Sequence, residues 1–106
     1  MAAKIGRIAQ LQEFLKADSM DSFLKHALAL EYIKEGDDVE ARRLFEEVLS
    51  HEPGYVGSYY HLAKLLERTN EIENAIKIYE RGMTEAKKAG DNQAYNELMM
   101  AKEELE

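Results

Sequence analysis

Apolar residues recur along this chain at intervals of three and four, the spacing that keeps side chains on one face of an α-helix. Ile8, Leu11 and Leu15 follow it near the amino terminus, and Ala94, Tyr95, Leu98, Met99, Ala101 and Leu105 form a comparable stripe near the other end. Breaks fall between such runs. Gly36 and Asn70 are residue types that tolerate the left-handed conformation ending a helix; they sit in the polar stretches Glu35-Gly36-Asp37-Asp38 and Thr69-Asn70-Glu71. Asp37 or Asp38 is placed to cap the helix after the first break, and Thr69 or Asn70 the helix after the second. Pro53 stops the helix before it, and Gly90-Asp91 reads as a stop followed by a cap. The pattern predicts six helices in a single domain, 1–106, with no linker.

The chain also repeats itself. Displaced by thirty-four positions, Ser22–Tyr55 lies over Val56–Ala89. Leu28-Ala29 then meets Leu62-Ala63, Ala41 meets Ala75, Phe45 meets Tyr79 and Glu46 meets Glu80. These are positions that two packed helices must control. Leu28 and Leu62 supply bulk, the four alanines let the helices approach, and the rings of Phe45 and Tyr79 fill the seam.

This pattern resembles the tetratricopeptide repeat (TPR), a helix–turn–helix unit of thirty-four residues. The first unit matches at Leu28, Ala29, Tyr32, Gly36, Ala41, Phe45 and Pro53, and the second at Tyr59, Leu62, Ala63, Leu66, Ala75, Tyr79 and Gly82. It departs at Lys25, where a large first residue belongs, at Val48, where a small one does, and at Lys87 in place of proline. In this frame 1–21 is a degenerate half-repeat with Arg7 in place of its alanine, 22–55 and 56–89 are whole repeats, and 90–106 is a closing helix. The last repeat needs such a helix because its apolar face would otherwise meet water.

The resemblance implies an all-α fold, an α-solenoid of antiparallel helix pairs winding as a right-handed superhelix, whose first helices line a concave groove. Carried over by position, the groove residues are Phe23, His26, Leu30 and Ile33 or Lys34 from the first repeat. The second repeat supplies Tyr60, His61, Lys64 and Arg68, with Gly57 leaving room, and the closing helix offers Asp91, Tyr95 and Leu98. The function implied is to hold a peptide segment of a partner protein, as a scaffold or adaptor and not as an enzyme. Some relatives grip the acidic tails of heat-shock chaperones with a clamp of five Lys, Asn and Arg side chains. The corresponding positions here are His26, Leu30, His61, Asp91 and Tyr95, and none matches.

Charge refines the partner. The chain carries 14 basic and 21 acidic residues, a formal net charge of -7, which repels phosphate backbones and anionic membranes. Nucleic acid is therefore disfavoured. No segment approaches the ~20 apolar residues of a membrane span, nor does the first stretch read as a signal peptide, so the cytoplasm is the expected compartment. Lys64, Arg68, His26 and His61 sit on first helices, whereas Glu40, Glu46, Glu47, Glu71, Glu73 and Glu80 lie mainly on second helices. That segregation predicts an acidic partner segment with apolar anchors for Phe23, Leu30 and Tyr60. Self-association through the terminal helices, giving a homodimer, is the alternative use of the fold.

Candidate chemistry changes little. The chain has no cysteine, which excludes disulfides, thiolate metal sites and a Cys nucleophile. A metal held by His26 and His61 would need a third ligand from Asp91 or a glutamate; no such site and no cofactor is expected. No nucleophile elbow or phosphate loop occurs. Met1, Met20, Met83, Met99 and Met100 read mostly as core or terminal, with Met99-Met100 as an alternative binding surface.

Overall fold

The computed structural model describes the backbone of residues 2–106 and the side chains of 6–106; Met1 lies outside the described residues. Six helices follow one another: α1 (Ala2–Ala17), α2 (Ser22–Lys34), α3 (Asp38–His51), α4 (Gly57–Arg68), α5 (Ile72–Ala89) and α6 (Asn92–Glu103). No strand occurs among the described residues. This is the all-α helical-repeat architecture that the thirty-four-residue frame predicts. The helices gather into two compact units, one ending at Glu52 and the other spanning Pro53–Glu106.

In the first unit α2 packs on both α1 and α3. Asp21 starts α2, its Oδ1 accepting the Leu24 N–H at 2.9 Å, and Asp37 starts α3 by accepting the Glu40 N–H at 3.1 Å. Each cap satisfies an N–H that has no partner within its helix. Between α2 and α3, Gly36 adopts φ +80°. Its N–H donates to Ile33 O at 3.0 Å and the Asp37 N–H to Tyr32 O at 2.9 Å, which closes the helix end. Leu28, Ala29, Ala41, Leu44, Phe45, Val48 and Leu49 form the buried seam, with Leu11 of α1.

The second unit repeats this construction. α4 packs on α5, and α5 on α6. Asn70 takes the place of Gly36 with φ +63°, the Asn70 N–H donating to Glu67 O at 3.0 Å and the Glu71 N–H to Leu66 O at 2.8 Å. One expectation is corrected: neither Thr69 nor Asn70 caps α5. The N-cap is Glu71, without a side-chain cap bond, and the Thr69 hydroxyl instead donates to carbonyls at the end of α4. The turn closes through Asn70, the Glu71 N–H completing it, which moves the cap to Glu71. Gly90 (φ +72°) and Asp91 act as expected, Asp91 accepting the Ala94 N–H at 3.0 Å.

Two departures from the repeat pattern find their reasons here. Lys25 keeps its side chain largely covered and its ammonium 3.3 Å from Glu47 on α3; the aliphatic stem supplies bulk while the charge finds a partner. In the second unit the same place holds Tyr59, whose hydroxyl donates to Pro53 O at 2.6 Å. The larger ring leaves no volume opposite, so Gly82 occupies the position that Val48 fills in the first unit.

Candidate functional site

The same frame governs the rings. His26 meets Phe45 edge-on at 5.6 Å in the first unit, and thirty-four positions later Tyr60 meets Tyr79 at 6.5 Å in the second. In both, a ring on the first helix leans on a buried ring of the second. His26 and Tyr60 therefore share one place, and His61 stands where the first repeat has Ala27.

Phe23, His26 and Leu30 occupy one face of α2, at spacings of three and four. Phe23 is 65% exposed, while His26 and Leu30 are half-buried. In the second unit, Tyr60, His61 and Lys64 of α4 face α6 across two adjoining clefts. The larger, about 470 Å³, is lined by Tyr60, Lys64, Glu97, Met100, Ala101 and Glu104. The smaller, about 220 Å³, adds Val56, Gly57, His61, Asp91, Ala94 and Leu98. Tyr60 and Glu97 belong to both. Arg68, the last residue of α4, and Tyr95 are not among the lining residues.

Lys64 lies 3.7 Å from Glu67 and 5.6 Å from the centre of the Tyr60 ring. Glu67 also accepts a hydrogen bond from the Tyr79 hydroxyl. Tyr60, Lys64, Glu67 and Tyr79 thus hold one another in place on α4 and α5, which fixes the exposed edge of Tyr60. Burial lowers the pKa of His61 below the ordinary histidine range, favouring the neutral ring. Among the described residues no group of three His, Cys, Asp or Glu could hold a metal, and no helix is long and apolar enough to cross a membrane.

The sequence offered Asp91, Tyr95 and Leu98 of this helix and Met99-Met100 as an alternative surface, but not Glu97, Ala101 or Glu104 as lining residues. Their signal was present in the spacing of α6, where positions 97, 100, 101 and 104 share a face. Met100 is 62% exposed there, while Ala101 beside it lines the cleft with little exposed surface and Leu98 is buried.

The tetratricopeptide repeat family model matches residues 32–101, about two thirds of the chain. The chain is similar to a tetratricopeptide repeat domain protein from Salinibacter ruber, with 41% identity and a TM-score of 0.79 over 81% of this chain and 87% of that one. It also resembles the TPR2B domain of yeast Sti1 in its pHsp70 complex, with a TM-score of 0.88 over 98% of this chain and 83% of that one, at 14% identity. A stretch of 78 residues, 74% of this chain, is 30% identical to human aspartyl/asparaginyl beta-hydroxylase, of whose length the chain spans 10%. With its helices, left-handed turns and paired rings all repeating on the frame of the matched model, the chain belongs to the tetratricopeptide repeat family.

Proposed function

We propose that this chain is a protein-interaction module that holds a peptide segment of a partner, in the role of a scaffold or adaptor. The observation that carries this reading is the pair of open clefts between α4 and α6, where Tyr60 (37% exposed) and Met100 present apolar surface beside polar side chains. Aromatic and Met side chains surrounded by polar groups are the usual material of interface anchors. Phe23, His26 and Leu30 offer a second such face on α2 of the first unit. The Sti1 neighbour has its pHsp70 complex on the same fold, which supports a binding role; the hydroxylase activity of the human relative is not carried over to a chain spanning 10% of it.

The test replaces the two exposed anchors, Tyr60→Ser with Met100→Ser, and compares cross-linked partners of the native and altered chains. Partner peptides cross-linked to α4 and α6 in the native chain should be lost from the variant. An unchanged set of cross-links at unchanged yield would remove the clefts from the proposal.

A homodimer through the terminal helices is the second reading, favoured by Phe14 on α1, which is 57% exposed. Light scattering over a concentration series decides it: a mass that stays at 12.2 kDa excludes a stable dimer.

A further inference from the structure

The carboxylates of this chain fall into two populations. Those on second helices mostly stand beside cations. Glu40 and Glu47 meet Arg43, Glu46 meets Arg42, Glu80 meets Lys102 and Glu85 meets Lys88. Glu97 and Glu104 differ. They line the α4–α6 clefts, and among the described residues neither has a cation within ion-pair distance; Glu97 accepts only an N–H of Gln93, at 3.3 Å. Asp91 adds a third negative charge at the narrower cleft.

Against these three stands one ammonium, Lys64, already beside Glu67 and over the Tyr60 ring. Burial disfavours the charged form of the His61 ring beside it. Lys64 and Arg68 taken alone suggest an acidic partner; the clefts that α6 completes carry the opposite sign.

Spacing adds a second constraint. Glu97 on α6 and Glu104, the residue that caps its carboxyl end in helical conformation, lie seven residues apart, about 10 Å along the axis. Met100 and Ala101 fill the interval between them. The surface therefore alternates carboxylate, apolar, carboxylate.

From this arrangement we infer that the clefts take a partner segment with two basic side chains about 10 Å apart flanking an apolar residue. The bases meet Glu97 and Glu104, and the apolar side chain lies on Met100 and Ala101 beside Tyr60. In a polyproline II segment, residues three apart lie on one face and span about 9 Å, close to that distance. The inference rests on the peptide-holding reading and gives the partner its chemistry.

Two octapeptides test it, Ser-Gly-Arg-Leu-Leu-Arg-Gly-Ser and the same peptide with Glu for both Arg, each titrated into the isotope-labelled chain and followed by amide shifts. The Arg peptide should move the amides of Tyr60, Glu97 and Ala101 saturably. A Glu97→Gln, Glu104→Gln variant should bind it about fivefold more weakly or worse, while a Glu13→Gln, Glu73→Gln variant of equal net charge stays within about twofold of the native chain. Equal weakening in both variants would overturn the inference in favour of diffuse attraction to an anionic chain. If the Glu peptide moves the same amides as strongly, the inferred sign is wrong and the peptide-holding reading survives. Should neither peptide move any amide, the inference and the placing of a peptide in these clefts fall together.

Discussion

Tyr59 and Gly82 approach so closely across the α4–α5 seam that a methyl group added at Gly82 would lie 2.7 Å from the Tyr59 Cβ. It would also lie 2.9 Å from Leu98 Cδ1 on α6. The Tyr59 Cβ is bonded to the backbone and cannot swing aside. Three helices of the second unit therefore meet at a place only glycine fits.

Gly82→Ala is accordingly expected to destabilise the protein by about 2 kcal/mol, since overpacking outweighs the ~1 kcal/mol that alanine gains in helix propensity. Gly6, inside α1 with nothing within 4 Å of its added Cβ, is the control. Gly6→Ala should stabilise by up to about 1 kcal/mol. Urea unfolding of both variants measures the signs, and a stabilised Gly82→Ala would contradict the described seam.

The Tyr79 hydroxyl predicts an alkaline limit. Burial, then the hydrogen bond to Glu67, raises its pKa well above the usual tyrosine range. The unfolded chain releases this proton near pH ~10, whereas the folded chain retains it. The stabilisation is thus complete below that pH and declines as pH rises beyond it, by up to about 1.4 kcal/mol per pH unit. Tyr59 is raised too, chiefly by burial. Tyr79→Phe should cost about 1 kcal/mol at pH 7 and flatten the decline above pH ~10. Unfolding free energies collected from pH 7 to 11 check both, and parallel profiles would refute the assignment.

The two repeats should respond unequally at their equivalent caps. Asp37→Ala removes a cap bond to the Glu40 N–H and should cost about 1 kcal/mol. Glu71→Ala, at the equivalent position, removes no cap bond and should stay within about 0.5 kcal/mol. Thermal unfolding of the pair resolves the difference, and equal losses would mean that Glu71 caps α5 after all.

Much of the fold was legible because its signals are local. Gly36 and Asn70 announce left-handed helix ends wherever the rest of the chain lies, and the thirty-four-residue recurrence of Ala29, Ala41 and Phe45 as Ala63, Ala75 and Tyr79 needs no structure to be seen. The α5 cap was not legible, because Thr69 and Asn70 are the preferred cap types and Glu71 is not, yet the turn places Glu71 at the helix start. Of the candidate site, Tyr60, His61 and Lys64 were placed on the correct helix. Glu97 and Glu104 read as ordinary solvated carboxylates, since nothing in sequence spacing tells which glutamates have a cation across a seam.

By itself, the sequence determined the helix count, the repeat frame and the family, since helical period, stop signals and the alternation of bulky and small residues act over one or two turns. Tertiary structure decided everything that depends on what stands opposite. It showed that Lys25 can replace a large residue because Glu47 receives its charge, and that Gly82 must be small because Tyr59 is large. It also brought α6 against α4, so that the surface beside Tyr60 carries unmatched carboxylates and not the basic character of Lys64 and Arg68 alone. Charge and volume act through space, and their balance exists only once the helices are packed.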